Sequence, residues 1–397
     1  MDPTPEHRQN RDHQYVAKAA LDQLIASEFP GDGPIYLNHA AVAPWPRRTA
    51  DAVKRFAEQA LSEAAWVYPE WLATETELRT RAARLLGAQA ADIAFAKNTS
   101  EALSFVAYGF PWSDGDAVVF PQEEFPSNRI VWESLAPRVA ARPVRLTGER
   151  DPEAALIKAC DHKVRLLAVS SVQYITGLRL DLSRLGAACH RAGIAFCVDA
   201  IQGLGYLPHG VDECHIDFLM ADGHKWLLGP EGLALFYCRD QWRDRLVLHE
   251  FGWHMVDGAG DFDRIDWRIA DSAQRFECGS PNMMGAQALN ASLSLIEEIG
   301  VPVIGARVLE RTGYLIDTLA RLSRVTVMSD PMIKRRSGIV TFVPRGSSQC
   351  TSDALFSALV DRRVFCAKRG GGIRLSPHFY TTTTDLETAI NIIISMC

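Results

Sequence analysis

This chain contains no C-x-x-C pair, and its nine cysteines, at 160, 189, 197, 214, 238, 278, 350, 366 and 397, are an odd number without a repeated interval. Such spacing excludes zinc-ribbon and thioredoxin-like signatures and leads us to expect reduced, mostly buried thiols in place of a disulfide framework. Cys197 and Cys238 lie inside apolar runs and read as core residues. No uninterrupted apolar stretch reaches membrane-spanning length. The opening MDPTPEHRQNRDHQYVAKAA has no apolar core of the signal-peptide kind, so a cytoplasmic protein without a membrane partner is expected. Basic runs are missing too. With 42 Lys and Arg against 48 Asp and Glu, the formal charge of -6 argues against a nucleic-acid partner. Internal repeats and low-complexity segments are likewise absent.

What the chain does have is an ordinary globular composition, 47% hydrophobic and 23% charged over 397 residues. That length suits about two or three domains. Short apolar runs bounded by Asp, Gly or Pro recur through its middle: DIAFAK (92–97), DAVVFP (116–121), VRLLAVSSV (164–172), IAFCVDA (194–200), IDFLMA (216–221) and LALFYC (233–238). They read as buried strands. DPEAALIKACDHK and DLSRLGAACHRAG, between them, have helical starts and spacing. Alternating strands and helices predict an α/β fold with a mostly parallel sheet covered on both faces. After about residue 285 the pattern becomes one long helical stretch, then SGIVTFVP, TSDALFSALVDRR, VFCAK, GIRLS and a closing helix from about Thr384. This predicts a large domain over 35–290 and a smaller α+β domain from 1–34 and 291–397, the former stretch including a helix around residues 13–27.

Open parallel sheets bind ligands beyond the carboxyl ends of their strands. Asp199 closes one such run, and Lys225, in MADGHKWLLGP, follows another. Taken singly, Asp199 is a strand-ending cap or a buried carboxylate with a cationic partner. Lys225 is an amine snorkelling to water or one held in a pocket. Together they specify a chemistry. A Schiff-base lysine must shed its proton, which burial or a nearby cation promotes. Pyridoxal phosphate uses such a lysine, with an Asp at its pyridine nitrogen so that the ring accepts electrons from a deprotonated substrate carbon. A phosphate site is then needed, and FAKNTSEALSFVAYG offers one: strand, Asn-Thr-Ser, helix, with free N–H groups at the helix start. The same residues also read as a capping box of Asn98 with Glu101.

VDAIQGLGYLPHGV followed by HIDFLMADGHKWLLGPEGLALFYCR resembles the cofactor segment of class V aminotransferase-fold, fold-type I, pyridoxal-phosphate enzymes. That group includes isopenicillin N epimerase-like proteins, cysteine desulfurases and kynureninases. The resemblance continues through YLNHAAVAPWP, NTSEA, EEFPSN, SSVQYITG, RFECGSPN and IRLSPHFYTTTTDLE, and so covers most of the chain.

The resemblance implies the type I PLP-dependent transferase fold and a set of roles. Lys225 would carry the Schiff base and move the substrate's alpha proton. Asp199 would pair with the pyridine nitrogen and Gln202 with the ring's phenolic oxygen. Thr99, Ser100 and His224 would hold the phosphate. Phe125 would stack on the ring, with core packing as its other reading. Ser280, with Asn282 beside it, would reach across a homodimer with shared active sites. Arg374 would bind the substrate's carboxylate, the other reading being a surface arginine at a strand edge. EFGWHMVDGAGDFDRIDW reads as a loop at the pocket, which makes Trp253 and His254 substrate-selecting candidates, and His39 is another from the N-terminal segment. No metal is expected.

Two departures matter. Position 222 is Asp where many relatives have Ser or Thr near the phosphate, so Asp222 is expected to point elsewhere or to be neutralised. Cysteine desulfurases use a loop cysteine, but VFCAKRGGGIRLSP leaves little room for that loop. Cys366 is expected within a strand and Cys350 in a turn, incidental or nucleophilic. The implied activity is a PLP-dependent enzyme acting on an amino acid or its conjugate, with β-elimination of the C–S lyase type as the expected reaction. Class V transamination, epimerisation, cysteine desulfuration and an inactive binding module are the alternatives. The cofactor-side residues do not separate elimination, transamination and epimerisation, which differ in the placement of proton donors and leaving groups to about an ångström.

Overall fold

The computed structural model describes residues 19–31, 33–345 and 350–397. Its strands, in chain order, are β1 (Ile35–Tyr36), β2 (Ile93–Ala96), β3 (Ala117–Pro121), β4 (Ala140–Val144), β5 (Val164–Ser170), β6 (Ala195–Asp199), β7 (Phe218–Asp222), β8 (Ala234–Cys238), β9 (Val325–Val327), β10 (Val340–Pro344), β11 (Val364–Phe365), β12 (Ala367–Arg369) and β13 (Gly372–Leu375). Seven form one sheet in the order β2-β8-β7-β6-β5-β3-β4, in which β8 alone runs antiparallel to its neighbours. The predicted mostly parallel sheet is therefore present.

Its strands are continuous apolar runs because both faces are covered. Val119, Leu167, Val169, Phe196 and Val198 enter the core on one side, and Val118, Phe120, Leu166, Ala168 and Cys197 on the other. β4 escaped prediction for the complementary reason. It lies at the sheet edge, none of its five residues is buried, and it carries Pro143, which only an edge tolerates. On the covering helices, Asp181 caps Leu182–Ala192 by accepting from Arg184 N–H, and Gly193 ends that helix at φ 65.

The expected single helical stretch after residue 285 is two helices, Met283–Ile299 and Val301–Leu319. Gly300 takes φ 87 between them and Pro302 cannot continue the first. A second sheet of order β12-β13-β10-β9 is antiparallel throughout. Its core includes Leu315, Phe342, Leu355, Ile373, Leu375 and Ile393, from that sheet and the helices Val301–Leu319, Ser352–Asp361 and Thr383–Met396.

Residues 19–28 are helical; Leu21, Leu24, Ile25 and Phe29 pack on the cluster beneath the large sheet, Phe29 also stacks on Tyr380 and Asp22 pairs with Arg307, while β1 pairs with β11 of the C-terminal part. The earlier residues of the predicted helix lie outside those described. Against expectation, the cysteines are not all thiols. Cys350 and Cys397 form a disulfide with Cα atoms 5.2 Å apart, because the last helix ends beside the start of Ser352–Asp361, a tertiary proximity that spacing does not reveal. Among the described residues, no helix is long and apolar enough to cross a membrane.

Candidate active site

A tight turn after β7 presents Lys225. Leu228 N–H donates to Lys225 O (3.1 Å) and Gly229 N–H to Gly223 O (2.8 Å), with Leu228 at φ 60. The lysine is 8% exposed, and burial, reinforced by the charges of Arg374 and Arg369 against those of Asp199 and Asp222, pushes its amine down to about 8. Nζ lies 5.5 Å from the centre of the Phe125 ring. Snorkelling is thus the wrong reading of this lysine.

Asp199 ends β6, in register with Ser170 of β5 and Met220 of β7. Burial raises its carboxyl to about 6, while Ile201 N–H (3.0 Å) and the charge of Lys225 oppose the shift. Gln202 is fixed at both ends of its amide: Nε2 donates to Ala40 O and Oε1 accepts from Trp226 Nε1, each at 3.0 Å. One amide hydrogen is left for a ligand.

The helix Thr99–Gly109 begins beside this point. Asn98 caps it by accepting from Glu101 N–H (2.9 Å), but the capping box is not closed, since Glu101 Oε2 accepts from Lys97 N–H and not from Asn98 N–H. Thr99 Oγ1 accepts from Asp222 N–H (3.1 Å), which leaves its hydroxyl proton free to donate, and Ser100 Oγ donates to Ser127 Oγ (2.8 Å). Asp222 faces His224. Its Oδ1 lies 3.0 Å from His224 Nδ1 but off the hydrogen-bonding direction, so both atoms are buried without a partner among the described residues.

From the second sheet, Arg374 reaches the same region. It is 2% exposed, donates from Nη1 to Tyr174 O (2.9 Å), and has a buried Nε without a partner among the described residues. Burial, then the charge of Arg369, lowers its guanidinium to about 10. The surface-arginine reading fails on that burial. Phe125 is not core packing either: it is 42% exposed and meets Tyr174 edge-on at 5.2 Å.

Three residues near the site escaped the sequence reading. Tyr174 and Ser127 sat inside the quoted segments SSVQYITG and EEFPSN without a charge to mark them. Glu124, next to Phe125, accepts from Ser170 N–H (2.6 Å), from Ser170 Oγ and from Gln173 Nε2 (2.9 Å), and burial raises it to about 7. It reads in sequence as one of two adjacent surface acids.

Other candidates are not brought there. His39 is fully buried, with Nδ1 on Ser376 O (2.8 Å) and Nε2 on Tyr380 Oη (2.6 Å), so its role as a substrate residue is corrected to a structural one. Burial holds it neutral, with a pKa of about 4. Trp253 packs on His254 and Phe262 in its own loop. His254 is buried next to Glu277, 3.5 Å away, and with Glu75 these form a grouping of metal-ligand type. Arg79 already bridges both carboxylates, which leaves little for a cation. Ser280 is exposed and lines a separate cavity of about 250 Å³ with Lys97, Cys278 and Asn282. Asn282 caps Met283–Ile299 through Gly285 N–H. Cys350 is in the disulfide, and Cys366, between β11 and β12, has its thiol raised to about 12 by burial.

A buried amine of lowered pKa, a carboxyl at the adjacent strand end, an aromatic face and hydroxyls at a helix start suit a phosphorylated pyridine aldehyde. The unpartnered Nε of Arg374 suits a carboxylate beside it. The model of the family described as aminotransferase class-V matches residues 35–387. A probable cysteine desulfurase of Methanothermobacter thermautotrophicus is 28% identical over 374 residues, covering 89% of this chain and 92% of its own. The uncharacterized aminotransferase YcbU of Bacillus subtilis is 29% identical over 313 residues, covering 79% and 81%. Among solved structures, the complex of the cystine C-S lyase C-DES with its reaction product cysteine persulfide shares the fold at a TM-score of 0.85, with 21% identity over 93% of this chain and 100% of that one. The apo cysteine desulfurase of Thermococcus onnurineus does so at 0.82, with 23% identity over 94% and 97%. Since the matched segment spans both sheets and contains every residue of the site just described, this chain belongs to the class V aminotransferase family.

Proposed function

We propose that this chain is a pyridoxal-phosphate-dependent lyase that cleaves the Cβ–S bond of a cysteine-type amino acid by β-elimination. One observation carries the proposal: the buried amine of Lys225 lies within the charge influence of Asp199 and Arg374, while the two C-terminal cysteines that could accept sulfur are withdrawn, Cys350 buried against Cys397 and Cys366 with its thiol raised to about 12 by burial. The C–S lyase and cysteine desulfurases named above support the substrate class.

Arg374 binds the substrate's α-carboxylate and thereby orients Cα toward Lys225. Thr99, Ser100 and His224 would hold the cofactor's phosphate, and Gln202, Asp199 and Phe125 would hold its ring. When bound, the cofactor supplies an electron sink for the charge developing at Cα. Lys225 Nζ takes the Cα proton. The electrons of that C–H bond become the second Cα–Cβ bond as Cβ–S breaks, and sulfur leaves as a thiolate with the pair of its former bond. Water then converts the released enamine into a 2-keto acid and ammonia.

The proposal includes a homodimer in which Ser280 serves the neighbouring subunit's phosphate. Its support is an apolar loop left in solvent, with Ile265 96% and Phe262 77% exposed together with Phe251 and Trp267. It also includes a large domain, carrying the helix at 19–28, and a small C-terminal one joined by β1. In a cytoplasmic setting, which the proposal retains, Cys350 and Cys397 would be held as two thiols.

The test is incubation of the cofactor-loaded protein with cysteine, cystine and S-conjugates without a keto-acid acceptor. Multiple turnovers to keto acid and ammonia, with the cofactor still an aldehyde by mass spectrometry, are expected. A single stoichiometric turnover that leaves the cofactor as the amine would replace elimination with transamination.

A further inference from the structure

We propose that Arg369 is a second carboxylate receptor of this pocket, and that the substrate is a cysteine derivative whose departing thiol carries its own carboxylate. This rests on the elimination reading above and adds a specificity to it.

The argument starts from strand register. β12 and β13 form a hairpin in which Ala367 opposes Arg374 and Arg369 opposes Gly372, with Gly370 and Gly371 at φ 58 and 77 in the turn. Opposed residues share a face, so Arg369 and Arg374 project from the same side of the hairpin, one diagonal step apart, with only the hydrogen of Gly372 between them. The other side is the small-sheet core: Ile373 is buried in it, and Lys368, opposite Ile373, leans on Phe356 and Asp353 of the helix Ser352–Asp361.

The side carrying the two arginines faces the cofactor pocket. Arg374 bonds Tyr174 O, Thr341 of the adjacent strand bonds Ile175 O, and a side chain at Gly370 would meet Ile175 Cγ2 at 2.5 Å. Tyr174 in turn touches Phe125, which faces Lys225. The hairpin tip is therefore pressed against the wall of the site. Consistent with that placement, the charge of Arg369 contributes to lowering both Arg374 and Lys225.

Arg369 spends little of its donor capacity on the protein. Its hydrogen bond is from Nη1 to the neighbouring Lys368 O (2.8 Å), and among the described residues it forms no ion pair. By contrast, Arg335 is bidentate on Glu153 and Arg79 on Glu277. A simple amino acid has one carboxylate, and Arg374 takes it. A second unpaired guanidinium on the exposed rim of that pocket selects a second carboxylate, on the part of the substrate that points outward and leaves.

The experiment compares S-carboxymethylcysteine with S-ethylcysteine, similar in bulk but differing in the distal carboxylate, on the holoenzyme and its Arg369→Ala and Arg369→Lys variants. Arg369→Ala is expected to lower kcat/KM for the carboxymethyl substrate on the order of 10- to 100-fold, mostly through KM, and to change the ethyl substrate by about twofold or less. Arg369→Lys should recover part of the loss. An equal fall for both substrates, or none for either, would overturn the proposal. Calorimetric binding of succinate and propionate to the same holoproteins reads the receptor without any turnover. Succinate should bind more tightly than propionate to the parent protein and lose that advantage in Arg369→Ala. If succinate binding shows that dependence while neither cysteine derivative is cleaved, the elimination reading alone has failed. If both derivatives are cleaved but succinate binds both proteins equally, the receptor alone has failed.

Discussion

A primary amine surrounded by protein is a stronger nucleophile at neutral pH than one in water, because desolvation penalises the cation. Lys225, held at about 8, is in that position. The neutral amine is the reactive form, so reactivity rises with pH until the group is deprotonated and then levels. Capture of pyridoxal phosphate by the apoprotein, followed by absorbance, should therefore accelerate about tenfold per unit below about pH 8 and flatten above it. A profile that keeps rising toward the pH range of an ordinary lysine would show an amine that is not desolvated. Replacing Lys225 with Ala should abolish both capture and turnover.

Elements bring these groups together through contacts that admit no extra atoms. Gly186 sits in the middle of Leu182–Ala192, where glycine lowers intrinsic helix stability by about 1 kcal/mol relative to alanine. The reason is close approach: a Cβ there would lie 1.7 Å from Cys214 O, in the segment that leads into β7. Gly186→Ala should thus destabilise the fold by about 1–3 kcal/mol despite the better helix former. Thermal melts of the two proteins read this directly, and an unchanged or higher Tm would show that the helix can shift without cost.

At the scale of the molecule, the proposed homodimer gives the exposed apolar residues of the loop a partner. Ile265 and Trp267 stand in solvent on the same segment that sequence assigned to the pocket. In a homodimer they would be covered, and Ser280 would gain a phosphate to bind. Sedimentation of the parent protein should give a dimer. The double variant Ile265→Glu, Trp267→Glu should shift it toward monomer and loosen cofactor retention with it. A dimer unaffected by those charges would place the interface elsewhere.

The sequence by itself determined the large sheet, since a strand buried on both faces must be continuously apolar, and six of its seven strands announced themselves that way. It also determined Lys225, Asp199 and the Asn98-Thr99-Ser100 helix start, because a charge or a cap directly after an apolar run has few structural uses. Tertiary structure alone decided what depends on distant segments meeting. His39 turned inward because Ser376 and Tyr380 occupy both its nitrogens. Cys350 met Cys397 because the last helix ends beside the start of Ser352–Asp361. Arg369 joined Arg374 on one face because strand register, which composition does not encode, set their sides. Local pattern records which face of an element is buried, whereas the partner on that face is fixed only when the chain closes on itself.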